Sequence, residues 1–210
     1  MKSKNYKMSR MFVTFLVVCF SLSFTVNTKE TKSVLIIYHG GIPPWKPAPS
    51  LDDGKVDALT HATTKNVNVE NVGKKVKSYL ENQGFHVEMK KALDMKEPIE
   101  FLVYDGIIFG TPTWFSNVAY PIKRIFDEHM IRIYEHRVGR LNDKALSGYT
   151  TVMERGESGH NCLRSLINGL KHLSENTVQG TVINTGDEPP IVEKLVEEFC
   201  ERFIEAINKE

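Results

Sequence analysis

A chain of 210 residues is long enough to bury one sizeable core and too short for two domains of ordinary size. Its hydrophobic share of 41% and charged share of 25% are typical of a soluble globular protein. The 27 basic residues almost balance the 26 acidic ones, which excludes the high basic charge of a typical nucleic-acid-binding protein.

The N-terminal 28 residues differ from the rest of the chain. An uncharged run rich in Phe, Val and Leu, residues 11–26, follows four basic residues: Lys2, Lys4, Lys7 and Arg10. This order is typical of a secretory signal peptide, and a run of sixteen residues is shorter than the ~20 that a membrane-spanning helix needs. We therefore predict a cleaved export signal in residues 1–28, with an uncleaved membrane anchor as the alternative. Without these residues the formal charge is −3.

The first half of the remaining chain alternates strands with a helix. Ser33–Tyr38 is a short apolar run rich in β-branched residues, which predicts a strand buried on both faces. Apolar residues at helical spacing then predict a helix, and Gly84 is its stop signal. These apolar residues are Val69, Val72, Val76 and Leu80. The patterns of Phe85–Met89 and Leu102–Phe109 predict the second and third strands.

The second half continues the alternation to the C-terminus. Helices are predicted over Tyr120–Ile131, around the leucine-rich segment Leu163–Leu170, and from about Ile191 onwards. Between them, Tyr149–Met153 and Gly180–Asn184 are predicted as the fourth and fifth strands.

Strands that alternate with helices predict βαβ units and an α/β fold. Right-handed crossovers then place helices on both faces of a doubly wound five-stranded parallel sheet, for which we predict the order 2-1-3-4-5. The domain is predicted to cover residues 31–210. In this arrangement a ligand binds at the carboxyl ends of the strands, near the switch point between strands 1 and 3.

The loop predicted after the third strand, Gly110–Asn117, combines several features of a ligand-binding loop. Gly110 permits a sharp turn and Pro112 stiffens it. Hydroxyl and amide side chains offer hydrogen bonds, while Trp114 and Phe115 offer flat apolar faces. A loop of this kind at a switch point suits a planar heteroaromatic ring with polar edges.

The segment Tyr104–Asn117, followed by Pro121, Ile122, Lys123 and Asp127, resembles the central signature of the flavodoxin-like superfamily. It is most similar to the NAD(P)H-dependent FMN reductases and flavodoxin-like quinone reductases. The resemblance implies a flavodoxin-like fold and a loop that wraps the isoalloxazine ring of FMN. It also implies that six side chains line the flavin: Thr111, Pro112, Thr113, Trp114, Phe115 and Asn117.

The phosphate-binding loop of that superfamily, S/T-x-T-G-x-T directly after the first strand, is altered in this chain. Alignment on the following helix places Thr64, Asn66 and Asn68 at its first, third and fifth positions. Val67 and Val69 stand where a glycine and a threonine are usual, which removes a hydroxyl and makes a tight turn harder. We predict that the threonine and the two asparagines hold the phosphate at a helix N-terminus.

A long insertion, residues 40–61, separates the first strand from this loop. Connections between strands and helices usually have 2–6 residues. A segment of this size at the ligand-binding edge is a lid or binding loop, or a simple excursion of the chain. Its only aromatic residue, Trp45, could cover a ligand or anchor the loop, and the sequence favours neither.

The loop after the fourth strand supplies the remaining candidate contacts. In the reductase relatives this loop is rich in glycine and touches the ring, so the resemblance implies contacts from Gly156, Ser158 and Gly159. His160 could donate a proton, although a lone histidine in a loop is more often simply exposed. The histidines show no spacing typical of metal ligands, and no metal is predicted.

Together these features predict an FMN-binding oxidoreductase that uses NAD(P)H and passes electrons to a quinone, a free flavin or a similar small acceptor. No catalytic side chain is predicted, because hydride transfer needs none. The alternatives are a flavodoxin-type electron carrier and a flavin-free binding module. An exported protein would meet little NAD(P)H, because this cofactor is chiefly intracellular. Contact with a membrane is expected only if residues 11–26 remain as an anchor. Homo-oligomerisation is left open.

Overall fold

Parallel strands form the centre of the computed structural model, which describes residues 31–40, 67–136, 141–153 and 156–209. A short antiparallel strand, β4, extends β3 at its carboxyl end. Within the described residues the strands are β1 (Ser33–Tyr38), β2 (His86–Lys91), β3 (Gly106–Trp114), β4 (Asn117–Val118), β5 (Ala145–Val152) and β6 (Thr181–Asn184).

The strand order β2-β1-β3-β5-β6 confirms the predicted doubly wound topology. All neighbours on this path pair in parallel. β1 lies between β2 and β3, with Tyr38 opposite Gly110 at the carboxyl end of the β1–β3 pair. The next described helix after β1 packs on one face of the sheet and the helix after β3 packs on the other, so this end is the switch point where such folds bind ligands.

The described helices are α1 (Val69–Asn82), α2 (Tyr120–Ile125), α3 (Ile131–His136), α4 (Glu157–Lys171) and α5 (Pro189–Ile207). A π-helical segment, Phe126–Met130, joins α2 to α3 without a break, so the helix predicted over Tyr120–Ile131 is longer and locally wider than its sequence pattern indicated. Short 3-10 turns at Ala92–Asp94 and Pro98–Phe101 connect β2 to β3.

Two apolar layers hold the helices against the two faces of the sheet. Because side chains alternate along a strand, Val34 and Ile36 of β1 point to one face and Leu35 and Ile37 to the other. The first pair packs in the layer formed with α1 and α5, and the second pair in the layer formed with α2 and α4. The central strands are therefore buried on both faces, as their continuous apolar runs predicted.

The observed bounds of β3 and β5 correct the predicted ones. β3 begins at Gly106 rather than Leu102, and it continues five residues beyond Phe109 to Trp114. β5 begins at Ala145, four residues before Tyr149. Pairing between these two strands, from Gly106 opposite Ala145 to Pro112 opposite Thr151, stabilises segments whose small or proline residues have little strand propensity of their own.

Several predicted features lie outside the described residues. These are the N-terminal signal or anchor and most of the insertion at 40–61, including Trp45. Among the helices of the described ranges, none combines the length and apolarity needed to cross a membrane.

Candidate functional site

The segment predicted as a flavin-wrapping loop is a β-hairpin that extends beyond the carboxyl edge of the sheet. Trp114 at the end of β3 pairs with Asn117 at the start of β4, and two residues connect them. Both connecting residues have positive φ angles, 50° at Phe115 and 61° at Ser116. This is the backbone of a type I′ turn, for which Asn-Gly is the favoured sequence.

Phenylalanine is an unusual residue at a positive φ angle. A bulky side chain there costs about 1–2 kcal/mol relative to ordinary backbone conformations. The Phe115 side chain is fully exposed, so packing within the described structure does not offset this cost. Strained residues of this kind concentrate at binding and active sites. The turn therefore presents an aromatic ring to solvent at the edge where this fold binds ligands.

The strain in the turn can be measured directly. We expect the double substitution Phe115→Asn with Ser116→Gly to raise the free energy of unfolding by about 1 kcal/mol, because both new residues tolerate positive φ angles. Urea unfolding monitored by circular dichroism would measure the change. Phe115→Ala is the control, since it removes the ring but keeps an unfavourable φ angle and should change stability little. A double variant less stable than the wild type would contradict the turn geometry.

Thr111 and Thr113, both predicted to line the flavin, are engaged within the hairpin. The Thr111 hydroxyl is buried, accepts a hydrogen bond from the Ala119 amide at 3.1 Å and donates to the Pro112 carbonyl at 3.0 Å. The Thr113 hydroxyl lies 2.7 Å from that of Thr150 on β5. These hydroxyls therefore stabilise the hairpin on the sheet instead of pointing to an open binding surface.

Asn117 connects the hairpin to α4. Its side-chain oxygen accepts a hydrogen bond from the Val118 amide at 2.8 Å and a longer one from the Ser165 hydroxyl at 3.4 Å. With these hydrogen bonds formed, the hairpin offers a ligand chiefly its backbone and the rings of Trp114 and Phe115.

The start of α4 brings the predicted residues of the fourth-strand loop to the same edge. Gly156 precedes the helix with a φ angle of 143°, and Ser158 is partly buried in the first turn. Gly159 is buried, and a Cβ there would lie 2.7 Å from Val182. Close packing of α4 on the sheet therefore accounts for Gly159, whereas Gly156 and Ser158 remain candidate contacts. His160 is exposed.

Of the predicted phosphate ligands, only Asn68 lies in the described structure; Thr64 and Asn66 fall outside it. Asn68 caps α1, where its side-chain oxygen accepts a hydrogen bond from the Asn71 amide at 2.8 Å. Glu70 follows in the first turn and pairs with Lys74 at 2.7 Å. A carboxylate at this position complements the helix dipole itself and so opposes the binding of an anion.

The side chain of Tyr149 contacts both the N-terminus of α1 and β3 at Gly110. Its fully buried hydroxyl donates a hydrogen bond to the Val69 carbonyl at 2.8 Å. Burial raises the pKa of this phenol well above its ordinary value, so it remains a donor at any physiological pH. The ring passes between Gly110 and Gly73, at each of which a Cβ would approach the hydroxyl oxygen to 2.6 Å or less. Two separate parts of the candidate site are thus held by one side chain.

His39 is the residue of this site that the sequence analysis did not single out. It follows β1 directly, and its amide donates a hydrogen bond to the Gly110 carbonyl at 3.0 Å. The imidazole is 6% exposed and packs edge-to-face against Trp114, with ring centroids 5.5 Å apart. Among the described residues its Nε2 atom has no hydrogen-bond partner, an arrangement that costs about 1–3 kcal/mol. A histidine directly after a buried, mainly apolar strand is the signal in the sequence that could have identified it.

The buried histidines predict how stability depends on pH. Burial lowers the pKa of both His39 and His129 below the ordinary value of 6.5. Below that pH the unfolded chain binds more protons than the folded one, so the free energy of unfolding should fall as the pH drops from about 7 towards 5. We expect the double variant His39→Gln with His129→Gln to show a shallower fall in urea unfolding. An equally steep fall would assign the effect to other groups.

The side chains around the hairpin suit the ring of a flavin. The segment predicted to bind its phosphate, before α1, lies mostly outside the described residues. Two aromatic rings, exposed backbone and an orphaned buried imidazole nitrogen suit a planar ligand with polar edges. In the described ranges, no three His, Cys, Asp or Glu residues are grouped so as to hold a metal ion.

Comparison with known sequences identifies no relative: no protein-family model and no curated protein matches the chain significantly. Solved structures, in contrast, show the same fold. Flavodoxin 1 from Bacillus cereus superposes with a TM-score of 0.59 at 17% identity, covering 83% of this chain and 98% of that one. A WrbA-like flavodoxin from Agrobacterium tumefaciens gives 0.57 at 14% identity, with 86% and 100% covered. The flavodoxin of Streptococcus pneumoniae TIGR4 gives 0.59 at 12% identity, with 82% and 98% covered. The described domain therefore has a flavodoxin-like α/β fold.

Proposed function

We propose that this domain binds FMN at the carboxyl edge between β1 and β3, and that it transfers electrons from NAD(P)H to a quinone, a free flavin or a similar small acceptor. The observation that carries the proposal is the strained hairpin turn, which presents Phe115 to solvent beside Trp114 at the switch point. The structural neighbours described as flavodoxins support the choice of a flavin as the planar ligand.

In this proposal the residues of the chain bind and orient the cofactor. Trp114 and Phe115 supply apolar contact to the isoalloxazine ring, and the hairpin backbone supplies hydrogen bonds to its polar edge. Gly156 and Ser158 approach from the start of α4, and the segment that includes Thr64, Asn66 and Asn68 holds the phosphate. When bound, FMN would supply the redox chemistry, while the protein supplies position and electrostatics.

A flavodoxin-type electron carrier is the second candidate, because several neighbours are described by that name. A carrier transfers electrons to protein partners and performs no substrate chemistry of its own. The formal charge of −3 without residues 1–28 gives such a carrier little electrostatic steering, which favours the reductase. A flavin-free module is the third candidate, supported by the Glu70 carboxylate at the start of α1.

The test is an FMN titration of the protein followed by quenching of flavin fluorescence, and then steady-state oxidation of NADH and NADPH with a quinone. Saturable quenching together with turnover supports the reductase. Quenching without turnover indicates the carrier. A folded protein that quenches no flavin contradicts both and leaves the flavin-free module.

We also propose that the chain is exported through its N-terminal segment, with membrane anchoring as the alternative. N-terminal sequencing of the protein recovered from cells distinguishes the two, since a cleaved signal removes the basic residues before Met11 and an anchor retains them. Retention with the domain in the cytosol would place it where NAD(P)H is available.

A further inference from the structure

A buried polar atom without a partner lies at the switch point of the sheet. It is Nε2 of His39, which neither hydrogen-bonds a described residue nor reaches solvent. Buried polar atoms in folded proteins are almost always paired, and of the unpaired ones among the described residues this is the one that lies beside Trp114 at the β1–β3 edge. Its position, more than the missing partner alone, points to a bound molecule.

We propose that His39 is a ligand-binding residue, and that its Nε2 atom forms a hydrogen bond with the flavin at the β1–β3 edge. This inference rests on the proposed function, because it takes FMN as the ligand. It assigns a role to a side chain that the flavin-loop and phosphate-loop patterns do not include.

The surroundings of the imidazole fix its position before any ligand arrives. The His39 amide is held by the Gly110 carbonyl, and the ring lies edge-on to Trp114, the residue proposed to contact the flavin. A side chain with so little freedom loses little conformational entropy when it forms the bond.

The charge of the imidazole restricts the chemistry of its partner. Burial lowers the pKa of His39 and so favours the neutral ring, which has one N–H donor and one lone pair. FMN offers suitable partners in the oxygens and nitrogens of its ring, the hydroxyls of its ribityl chain and its phosphate. Riboflavin shares all of these except the phosphate, so a comparison of the two ligands identifies which part of FMN the histidine contacts.

His129 provides a matched control within the same chain. It is 5% exposed against 6% for His39, and its Nδ1 atom also has no partner among the described residues. It lies in the π-helical segment and packs against Phe101, which precedes β3 and so belongs to the opposite end of that strand. Loss of a buried imidazole at this position should affect the core without touching the ligand.

The experiment measures FMN and riboflavin binding by fluorescence quenching in the full chain and three variants: His39→Leu, His39→Gln and His129→Leu. We expect His39→Leu to weaken FMN binding about tenfold. His39→Gln, whose amide nitrogen can replace Nε2, should recover most of that loss, and His129→Leu should bind as the wild type does. Equal weakening for riboflavin places the contact on the ring or ribityl chain, and weakening for FMN alone places it on the phosphate; either supports the inference.

A second measurement covers the case in which His39→Leu fails to fold. Nitrogen-15 NMR of the histidine side chains in the wild-type protein should show a shift of the His39 Nε2 signal when FMN saturates the site. The His39→Gln spectrum assigns that signal. An unchanged signal at saturation, or unchanged affinity in a folded His39→Leu variant, overturns the inference while the proposed function stands. A wild-type protein that binds no flavin overturns both.

Discussion

Gly110→Ala is expected to lower the free energy of unfolding by about 2–3 kcal/mol, a cost typical of an overpacked core. The new Cβ would lie 2.4 Å from both Cζ and the hydroxyl oxygen of Tyr149. The ring cannot move away easily, because its hydroxyl is bonded to the Val69 carbonyl and Gly73 closes the other side. Either β3 or α1 must shift, and both carry parts of the candidate site. Urea or thermal unfolding would measure the loss.

Two variants test the cause of this loss. Gly40→Ala is the matched control at the same edge, since the contacts of its Cβ with the described residues would be ordinary ones of 3.6 Å or more, and it should change stability little. In a Tyr149→Leu background the alanine at position 110 should cost clearly less than in the wild type, because the clashing ring is gone. Strictly additive effects of the two substitutions would show that Tyr149 is not what opposes a side chain at this position.

Trp114→Ala is expected to weaken FMN binding by about tenfold to a hundredfold, since an apolar ring buried against a ligand contributes roughly 1.5–3 kcal/mol. The indole also packs against His39, so part of the effect comes from the freed imidazole. Flavin fluorescence titration measures the change. Trp114→Phe keeps a flat face and should retain most of the affinity.

The controls for Trp114→Ala separate ligand contact from loss of folding. Tyr134→Ala removes an exposed aromatic ring from α3 and should leave FMN affinity unchanged. Phe115→Ala should weaken binding without altering the melting temperature, because this ring is fully exposed. If both hairpin variants bound FMN as the wild type does, the hairpin would be excluded as the flavin site and the proposed function would lose its main support.

Three unusual features lie at the same edge of the sheet: the turn at Phe115 with its positive φ angle, the unpaired Nε2 atom of His39, and the buried side chain of Tyr149 between two glycines. In α1, by contrast, the sequence agrees with its local conformation: Asn68 caps the helix, and apolar residues line its buried face. Departures from that agreement tend to mark functional sites, where strain is tolerated because the ligand or the surrounding fold offsets it. The switch point is therefore the first place to search for activity.

The fold could be predicted from the sequence because its signals are local. The bounds of β1, Ser33–Tyr38, agree with the predicted strand because a fully buried strand needs an unbroken apolar run. The bounds of α1 agree closely as well, since its apolar residues repeat at helical spacing and Gly84, with a φ angle of 88°, ends it. Strand order followed from the alternation and the handedness of crossovers.

The segment predicted to bind the ligand lies at the carboxyl end of the sheet, as the sequence indicates, but it has a different form. The sequence of Gly110–Asn117 predicts a loop that offers its hydroxyls to a ligand, whereas in the structure β3 continues to Trp114 and folds back as β4. Neither Pro112 nor Phe115 favours this conformation locally. The extension exists because β5 pairs with the strand as far as Thr151, and because Asn117 reaches α4.

By itself, then, the sequence determined the α/β class, the strand order and which loops lie at the carboxyl edge of the sheet, since hydrophobic periodicity and turn residues act over a few positions. Only the tertiary structure decided what that edge contains. Tyr149 reaches the Val69 carbonyl 80 positions away in the chain, and His39 meets the Gly110 carbonyl and the Trp114 ring across two strands. Such contacts depend on how distant segments pack, and a periodic pattern carries no information about them.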